Sequence, residues 1–571
     1  MAGKTGHYAI LEQFIADGVE YVFGNPGTVE QGFIDALADY PQLKYVLTLQ
    51  ESVALMTADG YARATQKPTV VQIHSAPGLG NAVGAMYQAM RGHAPLVVMG
   101  GDAGIKYQAL DAQMAADLVA IAEPVTKWST MVSDPESLLR VLRRAIKIAS
   151  TPPMGPVYIC LPQDILNEIA TEPVRPTSLP STRVVPDAAT VDEMAQLLLN
   201  AKQPMLYIGD GVAYSGAQEE LTKVAELLGA EVRDVDSGEL NMDTTHPLYQ
   251  GTTGHMFGSS SLPTLQRGDV NLICGTYVLP EVFPEVGDIF APDAKVLHID
   301  LNAYEIAKNH PVDIGVVADP KSTLTLLSQS IQRLQTEEQR LRSIERKQAL
   351  AAAKETQRQQ SLAADRDNEA DGRLHFASFM NAFSQKLPSD TVVFDEALTS
   401  SPALTRYLPP RKEGHYVVTR GGSLGVGIPG AIGLKLANPD KTVVGFAGDG
   451  GSMYTIQALW TAARYNVDAK FVICNNRSYK LLQLNIQQFW EETEIPAHDF
   501  PLSFDLSRPA IRFDELARSM GVEAVRVEKP EEIEAAVQQA LAHKGPFLLD
   551  VVIDGDINPD AIAQECGSVG L

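Results

Sequence analysis

The chain has 571 residues, with 46 basic and 70 acidic side chains and a formal net charge of −24. Nucleic-acid binding depends on clustered Lys and Arg, so this charge and the lack of a basic patch exclude a nucleic-acid partner. The apolar fraction of 45% and charged fraction of 20% are those of a globular protein. At roughly 150 residues per domain, a chain of this length favours three domains.

The sequence also bears on location. No apolar run approaches the roughly 20 residues that span a bilayer, so we expect no membrane partner. The opening residues lead directly into helix and strand patterns without the continuous apolar stretch of a secretion signal. The four cysteines are widely spaced and form no CxxC pair, a pattern typical of reduced thiols. These features together predict a cytoplasmic protein.

Apolar, β-rich runs alternate with helical patterns along most of the chain. In the first third these runs are VEYVFG, KYVLTL, TVVQIH, PLVVMG and GPVYICL. Such alternation predicts doubly wound α/β domains with mainly parallel sheets. The first of these domains is predicted to span residues 1–180 and to end in a linker rich in Pro, Ser and Thr.

Two further α/β patterns follow. The middle domain is predicted over residues 190–340, with PMLYIGDG, VNLICGT and KVLHIDLN among its strands. A polar segment rich in helix formers predicts a linker helix over 341–374. The C-terminal domain is then predicted over 375–571, with strands in TVVFDE, HYVVT, KTVVGFAG, AKFVICNN and PFLLDVVID.

An acidic residue and an amide follow neighbouring strands of the C-terminal domain. Asp449 comes directly after KTVVGFAG, the segment SMYTIQALWTAARYN predicts one helix, and Asn475 and Asn476 follow the next strand. Carboxyl ends of parallel strands meet at one edge of a sheet, where open α/β sheets bind ligands. Carboxylate and amide oxygens suit Mg²⁺ that is shared with a phosphate group. Backbone N–H groups can approach that phosphate closely at glycines, here Gly448, Gly450 and Gly451.

Gly-Asp-Gly is also a common turn, which is the alternative interpretation of this corner. The middle domain contains the same triplet at Gly209, Asp210 and Gly211, also after a strand. No Asn pair follows it at the corresponding distance. Asp210 is therefore interpreted as a turn residue.

The spacing of Asp449-Gly450 and Asn475-Asn476, about 27 residues apart, resembles the pattern of thiamine-diphosphate-dependent enzymes. Within that superfamily the sequence is most similar to the benzoylformate decarboxylase group, and the resemblance covers all three domains. It implies three six-stranded sheets in the thiamine-diphosphate-binding fold, with pyrimidine and diphosphate domains flanking the middle domain. It also implies Mg²⁺ bound by the side chains of Asp449 and Asn476 and by the backbone of Ser478.

The resemblance assigns further residues to the cofactor. Gly422 is expected to contact the aminopyrimidine through its carbonyl, and Leu424 to support the bent cofactor. Thr399 and Ser400 fall where the family binds the diphosphate, although Leu398 stands where a hydroxyl residue is frequent. The remaining cofactor-binding residues implied at the metal corner are Gly448, Gly450, Gly451, Ser452 and Tyr479.

Glu51 follows the strand YVLTLQ and begins a helical pattern. Taken alone, it could simply stabilise the helix N-terminus. The run from Glu51 to ADGYAR, however, resembles the glutamate motif of the superfamily. In that role Glu51 is expected to exchange a proton with the aminopyrimidine ring and to act as a catalytic residue.

Two loops are expected to border the substrate. Asn25 and Thr28 lie in NPGT after a strand, and His74 ends another strand. Each has an ordinary structural interpretation, but both resemble the benzoylformate decarboxylase group, where these positions bind substrate and supply an imidazole. Thr28 and His74 are therefore candidate catalytic residues, and Leu482 is expected to shape the pocket. The second active-site His of that group aligns with Val282, which leaves the substrate open.

The predicted reaction is decarboxylation of a 2-oxo acid, carboligation of the product with an aldehyde, or both. Alternatives are an acetohydroxyacid synthase-like carboligase, a 2-hydroxyacyl-CoA lyase, or an inactive binding subunit. FAD is possible in the middle domain but not favoured. The resemblance implies a homodimer or homotetramer with active sites at subunit interfaces. Separately, the last residues, DGDINPDAIAQECGSVGL, are expected to cover the pocket.

Overall fold

The computed structural model describes residues 4–369 and 372–553. Three six-stranded sheets, each with only parallel neighbours, follow one another along the chain, which confirms the predicted fold class. A short antiparallel pair, Lys4–Thr5 with Ile169–Ala170, joins the two ends of the first unit. The predicted C-terminal cover lies outside the described residues. Among the described helices, none is long and apolar enough to cross a membrane.

The first sheet lies within residues 21–162. The longest helices of this unit are Gly6–Ala16, which precedes the sheet in the chain, and Glu51–Thr65, Ser75–Arg91 and Leu138–Ser150, which connect its strands. The edge strand Trp128–Met131 was not predicted from the sequence. In spatial order the strands are Lys44–Leu47, Tyr21–Gly24, Thr69–His74, Leu96–Asp102, Val157–Pro162 and Trp128–Met131.

The second sheet lies within residues 204–317 and has the strand order of a dinucleotide-binding fold. Its main helices are Ala188–Asn200, Gln218–Leu228, Gly258–Leu265 and Pro320–Leu334. In spatial order the strands are Tyr249–Thr253, Glu231–Val235, Pro204–Ile208, Val270–Cys274, Lys295–Asp300 and Ile314–Val317.

The third sheet lies within residues 392–552 and repeats the strand order of the first sheet. Helix Glu337–Glu369 leads into it from the middle unit. The other helices of eight or more residues are Phe376–Ser384, Gly427–Ala437, Lys480–Glu492 and Ile533–Ala542. In spatial order the strands are Tyr416–Val418, Val392–Glu396, Val443–Gly448, Ala469–Asn475, Phe547–Val552 and Glu523–Val527.

Helix Glu51–Thr65 of the first unit packs against helix Gly427–Ala437 of the third, and their apolar residues share one core. Glycines bring the two backbones together. A Cβ added at Gly60 would lie 2.2 Å from the carbonyl oxygen of Gly430, and one added at Gly433 would lie 2.0 Å from that of Thr57. Any side chain at these positions would therefore push the helices apart.

Candidate active site

In the first sheet the chain order reverses between strands Tyr21–Gly24 and Thr69–His74, which are hydrogen-bonded neighbours. The carboxyl ends at such a reversal form a ligand crevice. The predicted Asn25 loop leaves the first of these strands and His74 ends the second. Topology thus places two predicted substrate residues, Thr28 and His74, at one crevice, with Thr28 exposed.

His74 is paired with a carboxylate that the sequence analysis did not single out. Its Nδ1 lies 3.0 Å from Oε2 of Glu30, whose Oε2 also accepts the N–H of Gly27 at 2.9 Å. Burial raises the pKa of Glu30, and the neighbouring imidazole opposes that shift. A Cβ at Gly27 would lie 2.1 Å from the His74 ring, so only glycine fits beneath it. The sequence could have indicated Glu30, because this carboxylate stands only two residues after the predicted substrate residue Thr28.

Glu51 begins helix Glu51–Thr65, which is capped by the side chain of Gln50. Its side chain is only 6% exposed and is held by two amides, since Asn25 donates to Oε1 at 3.2 Å and Asn81 to Oε2 at 3.0 Å. A Cβ at Gly78 would come within 2.9 Å of Oε1. Glu51 is therefore a buried carboxyl without a cationic partner among these contacts, which suits a proton-exchanging group. Asn81 was not predicted.

The third sheet reverses its chain order between strands Val392–Glu396 and Val443–Gly448. Asp449 follows the second of these and is 5% exposed. Its carboxylate accepts the N–H groups of Gly450 at 2.8 Å and Arg477 at 2.5 Å. Burial raises the pKa of Asp449 to about 6, and these hydrogen bonds limit the shift. A desolvated carboxylate of this kind gains strongly from a cation.

The two adjacent asparagines have different surroundings. Asn475 is 2% exposed and donates to Oδ1 of Asp550 at 2.8 Å. Asn476 is partly exposed, and its Oδ1 accepts the N–H of Ser478 at 2.9 Å. Asn476 is thus the more exposed member of the pair, and its amide oxygen lies beside the Ser478 backbone.

The segment after Asp449 departs from the expected single helix. It forms two helices, Asp449–Ser452 and Ala458–Arg464, joined by turns. The interruption lies where the hydroxyl of Thr455 donates to the carbonyl of Gly425, which draws that turn toward the neighbouring loop. Ser452 donates to the carbonyl of Gly448 at 2.6 Å, which closes the first helical turn.

Gly450 and Tyr479 pack closely, since a Cβ at Gly450 would lie 2.3 Å from Cε1 of Tyr479. By contrast, a Cβ at Gly448 would have no neighbour nearer than Leu398, 4.0 Å away. Open space therefore lies beside the backbone of Gly448, next to Asp449. This is the clearance that a phosphate bound at the metal corner needs.

The loop that carries Gly422 and Leu424 faces open space. Gly422 has φ +67° and no neighbour within 4 Å of an added Cβ, while Leu424 is partly buried. Glu396, which the sequence analysis did not single out, anchors the end of this loop by accepting the N–H groups of Gly425 and Gly427, each at 2.5 Å. Burial raises the pKa of Glu396 to about 7.

The other predicted residues differ in their exposure. Thr399 is partly buried and Ser400 is buried, directly after Leu398 with its positive φ of 53°. Leu482 is 41% exposed and Val282 63% exposed.

The site residues of one chain form two clusters. The first surrounds Glu51 and His74, and the second surrounds Asp449 and Gly422. Within the described ranges 4–369 and 372–553, no hydrogen bond or ion pair joins one cluster to the other. The residues of the third sheet fit a Mg²⁺-diphosphate group, with a desolvated carboxylate at Asp449, a partly exposed amide residue at Asn476 and open space beside the backbone of Gly448.

Fold and site together define a thiamine-diphosphate-dependent enzyme. Three domains of thiamine pyrophosphate enzymes match the chain, namely the N-terminal TPP binding domain at residues 4–121, the central domain at 191–327 and the C-terminal TPP binding domain at 399–551. The chain belongs to this family, and thiamine diphosphate (thiamine pyrophosphate) is its cofactor.

Relatives along the full length include decarboxylases and carboligases. The chain is 30% identical to benzoylformate decarboxylase of Pseudomonas aeruginosa over 554 residues, covering 96% of this chain and 98% of the relative. It is 29% identical to a probable acetolactate synthase large subunit of Methanocaldococcus jannaschii, covering 96% and 92%. The structure resembles the thiamine diphosphate-dependent 4-hydroxybenzoylformate decarboxylase of Rhodococcus jostii, with a TM-score of 0.82, 26% identity and coverage of 97% and 99%.

Proposed function

We propose that the enzyme decarboxylates a 2-oxo acid, and that it releases the resulting aldehyde or joins it to a second carbonyl compound. The observation that carries this proposal is the pairing of His74 with Glu30 beside Thr28, at the crevice of a domain whose sheet also positions Glu51. When bound, thiamine diphosphate supplies the electron sink for loss of CO₂ from a 2-oxo acid.

Three side chains of the first domain are proposed to transfer protons and to orient the substrate. Glu51, buried between Asn25 and Asn81, gives and takes a proton at its carboxyl group where the aminopyrimidine lies. His74 has Nδ1 directed at Glu30, so its Nε2 is the nitrogen that transfers protons at the substrate. Thr28 is exposed and can orient the substrate carboxylate through its hydroxyl.

The metal corner, around Asp449 and Asn476, is proposed to bind Mg²⁺ and to orient the diphosphate of the cofactor. Asp449 and Asn476 would hold Mg²⁺ through their side-chain oxygens and Ser478 through its backbone carbonyl, a hard oxygen set. Gly448, Gly450, Gly451 and Ser452 would bind the diphosphate, with Thr399, Ser400 and Tyr479 as further candidates. The carbonyl of Gly422 would accept from the aminopyrimidine, and Leu424 would support the cofactor. Leu482 borders the substrate.

The Glu51 cluster of one subunit and the Asp449 cluster of another are proposed to form one active site. A reaction needs Glu51 and the metal corner at one cofactor, and these groups lie in separate clusters of one chain. We therefore include in the proposal a homodimer or homotetramer whose active sites lie between subunits, in the cytoplasm. Buried free thiols at Cys160, Cys274 and Cys474 support a reducing compartment. Analytical ultracentrifugation of the holoenzyme measures its mass and thus distinguishes a monomer from a homodimer or homotetramer.

A substrate panel tests the reaction. The holoenzyme with Mg²⁺ and thiamine diphosphate is given aliphatic and aromatic 2-oxo acids, and both CO₂ release and C–C-bonded products are followed. Release of CO₂ from aromatic 2-oxo acids is the expected result. If no 2-oxo acid yields CO₂ or a coupled product, the proposal is wrong.

The second candidate is an acetolactate synthase, because the relative from Methanocaldococcus jannaschii is nearly as similar as the decarboxylase. Acetolactate formed from pyruvate, together with flavin absorbance in the purified protein, would favour it. Neither is expected, since the resemblance to the structure of a 4-hydroxybenzoylformate decarboxylase favours an aromatic 2-oxo acid as the substrate class.

A further inference from the structure

The second Gly-Asp-Gly of the chain is more than a turn. Asp210 is 5% exposed, and its Oδ1 accepts the backbone N–H groups of Gly238 and Glu239, each at 2.9 Å. These two residues follow strand Glu231–Val235 of the middle unit. Asp210 thus fixes a loop that contacts both other units of the chain.

Arg63 joins three units with one guanidinium. Its side chain is fully buried. Nε donates to Glu239 at 2.7 Å, Nη2 to the carbonyl of Gly238 at 2.5 Å, and Nη1 to the carbonyl of Val418 at 2.9 Å. Only the planar, five-donor fork of arginine can satisfy acceptors in three such directions.

Arg420 completes the arrangement from the third unit. Its guanidinium lies 3.0 Å from Asp236 and 3.5 Å from Asp210. Its backbone N–H donates to Gln88 at 2.8 Å, and Gln88 in turn donates to Asp59 at 3.4 Å. We call Asp59, Arg63, Asp210, Asp236, Glu239 and Arg420 the interdomain charge cluster.

The cluster holds the segment that leads to Gly422. The carbonyl of Val418 accepts a hydrogen bond from Arg63, and the N–H of Val418 donates to the carbonyl of Gly238 at 2.9 Å. Arg420 is held through both its backbone N–H and its side chain. Gly422, two residues later, has open space around it. Its position is therefore set by the anchored residues on either side of it, Arg420 before it and Gly425 after it, rather than by packing of its own.

We propose that Arg63, through the interdomain charge cluster, is a positioning residue that holds Gly422 where it accepts from the aminopyrimidine. The proposal rests on the proposed function in one respect, the contact of Gly422 with the cofactor. A role in folding alone would lower the melting temperature and leave the affinity for thiamine diphosphate unchanged.

The test compares Arg63→Met, Arg63→Lys and Glu239→Gln in the full chain. The Kd for thiamine diphosphate at saturating Mg²⁺ is measured by calorimetry, and amide exchange of residues 416–425 is measured without cofactor. Arg63→Met is expected to weaken binding about tenfold or more and to speed exchange in this segment, as loss of a supporting contact does at a bound group. Arg63→Lys keeps the charge without the fork and is expected to be intermediate.

Arg143→Met is the matched control, because Arg143 also pairs with a carboxylate, Glu172, but within the first unit. It is expected to retain the wild-type Kd even if it melts earlier. Equal Kd values in wild type and Arg63→Met would overturn the proposal. If Arg63→Met does not fold, Glu239→Gln, which keeps the side-chain shape, decides by the same two measurements. Failure of the wild type itself to bind thiamine diphosphate would instead reject the proposed function.

Discussion

The imidazole Nδ1 of His74 lies 3.0 Å from the carboxylate of Glu30, which also accepts the N–H of Gly27. This contact fixes the ring orientation and leaves Nε2 as the nitrogen that faces the substrate in the proposed function. Glu30→Gln is expected to lower kcat about tenfold or more, since proton transfer at a positioned group contributes roughly 10²–10⁴-fold. Steady-state kinetics of Glu30→Gln and wild type with a 2-oxo acid as substrate measure this loss in kcat.

A double-mutant cycle supplies the control. If Glu30 acts through His74, then Glu30→Gln should add little to the loss already caused by His74→Ala. Additive losses in the double variant would mean that Glu30 has a separate role.

The adjacent asparagines give a matched pair for the metal site. Asn476→Ala is expected to raise the Kd for Mg²⁺ about 10–100-fold with little change in stability. Asn475→Ala removes the donor to Asp550 in the interior and is expected to cost about 1–3 kcal/mol of unfolding free energy while leaving Mg²⁺ binding unchanged. Metal titration and urea unfolding of both variants separate the two effects. Equal Mg²⁺ affinities in the two variants would contradict the assignment of Asn476.

Much of the fold could be predicted because central strands of parallel sheets are buried on both faces. Runs such as TVVQIH and KTVVGFAG are continuous in apolar residues for that reason. Some edge strands lack this signature, since one side meets solvent or a loop. Trp128–Met131 is partly exposed at every residue, and Ile314–Val317 alternates between partly buried and exposed. Neither pattern stands out from a loop in sequence alone.

Site residues that belong to a local sequence motif could be predicted. Those that act through contacts with residues far away in the chain could not. Asp449 follows its strand directly, so its place at the sheet edge follows from topology. Asn81 and Glu396 act on residues 30 and 29 positions away, Glu51 and Gly425, and nothing local in the sequence marks them. Likewise, the sequence favours a turn at Asp210, which is wrong: Asp210 begins helix Asp210–Ser215, and its partners Gly238 and Glu239 lie in another loop.

Glu51→Gln is expected to lower kcat by about 10²–10⁴-fold while the Kd for thiamine diphosphate changes little, because the amide keeps the shape but cannot transfer the proton. Glu20→Gln, an exposed carboxylate before the first strand of the same sheet, is the control and is expected to match wild type. Turnover that survives in Glu51→Gln at the wild-type rate would remove Glu51 from the mechanism.

Glu396 makes stability depend on pH. Burial raises its pKa from 4.5 to about 7 in the folded protein, so the folded state binds the proton more tightly than the unfolded chain. The contribution of Glu396 to stability is then fully present below pH 4.5 and declines as the pH rises toward 7, by about 1.4 kcal/mol for each pH unit. Glu396→Gln, which does not ionise, is expected to flatten this decline between pH 5 and 7 in urea unfolding. A decline as steep as that of wild type would assign the effect to other buried carboxyls.

Gly60 tests the contact between helices Glu51–Thr65 and Gly427–Ala437. An added Cβ would lie 2.2 Å from the backbone oxygen of Gly430, and a backbone atom cannot turn aside as a side chain can. Gly60→Ala is therefore expected to destabilise the protein by about 1–3 kcal/mol despite the better helix propensity of alanine. Gly84→Ala is the matched control, because Gly84 is an exposed helical glycine with nothing within 4 Å of an added Cβ, and it should gain about 0.5–1 kcal/mol. Opposite signs in urea unfolding are the expected outcome. A stabilised Gly60→Ala would show that the helices separate without cost, and that the first and third units are not held at a fixed spacing by this contact.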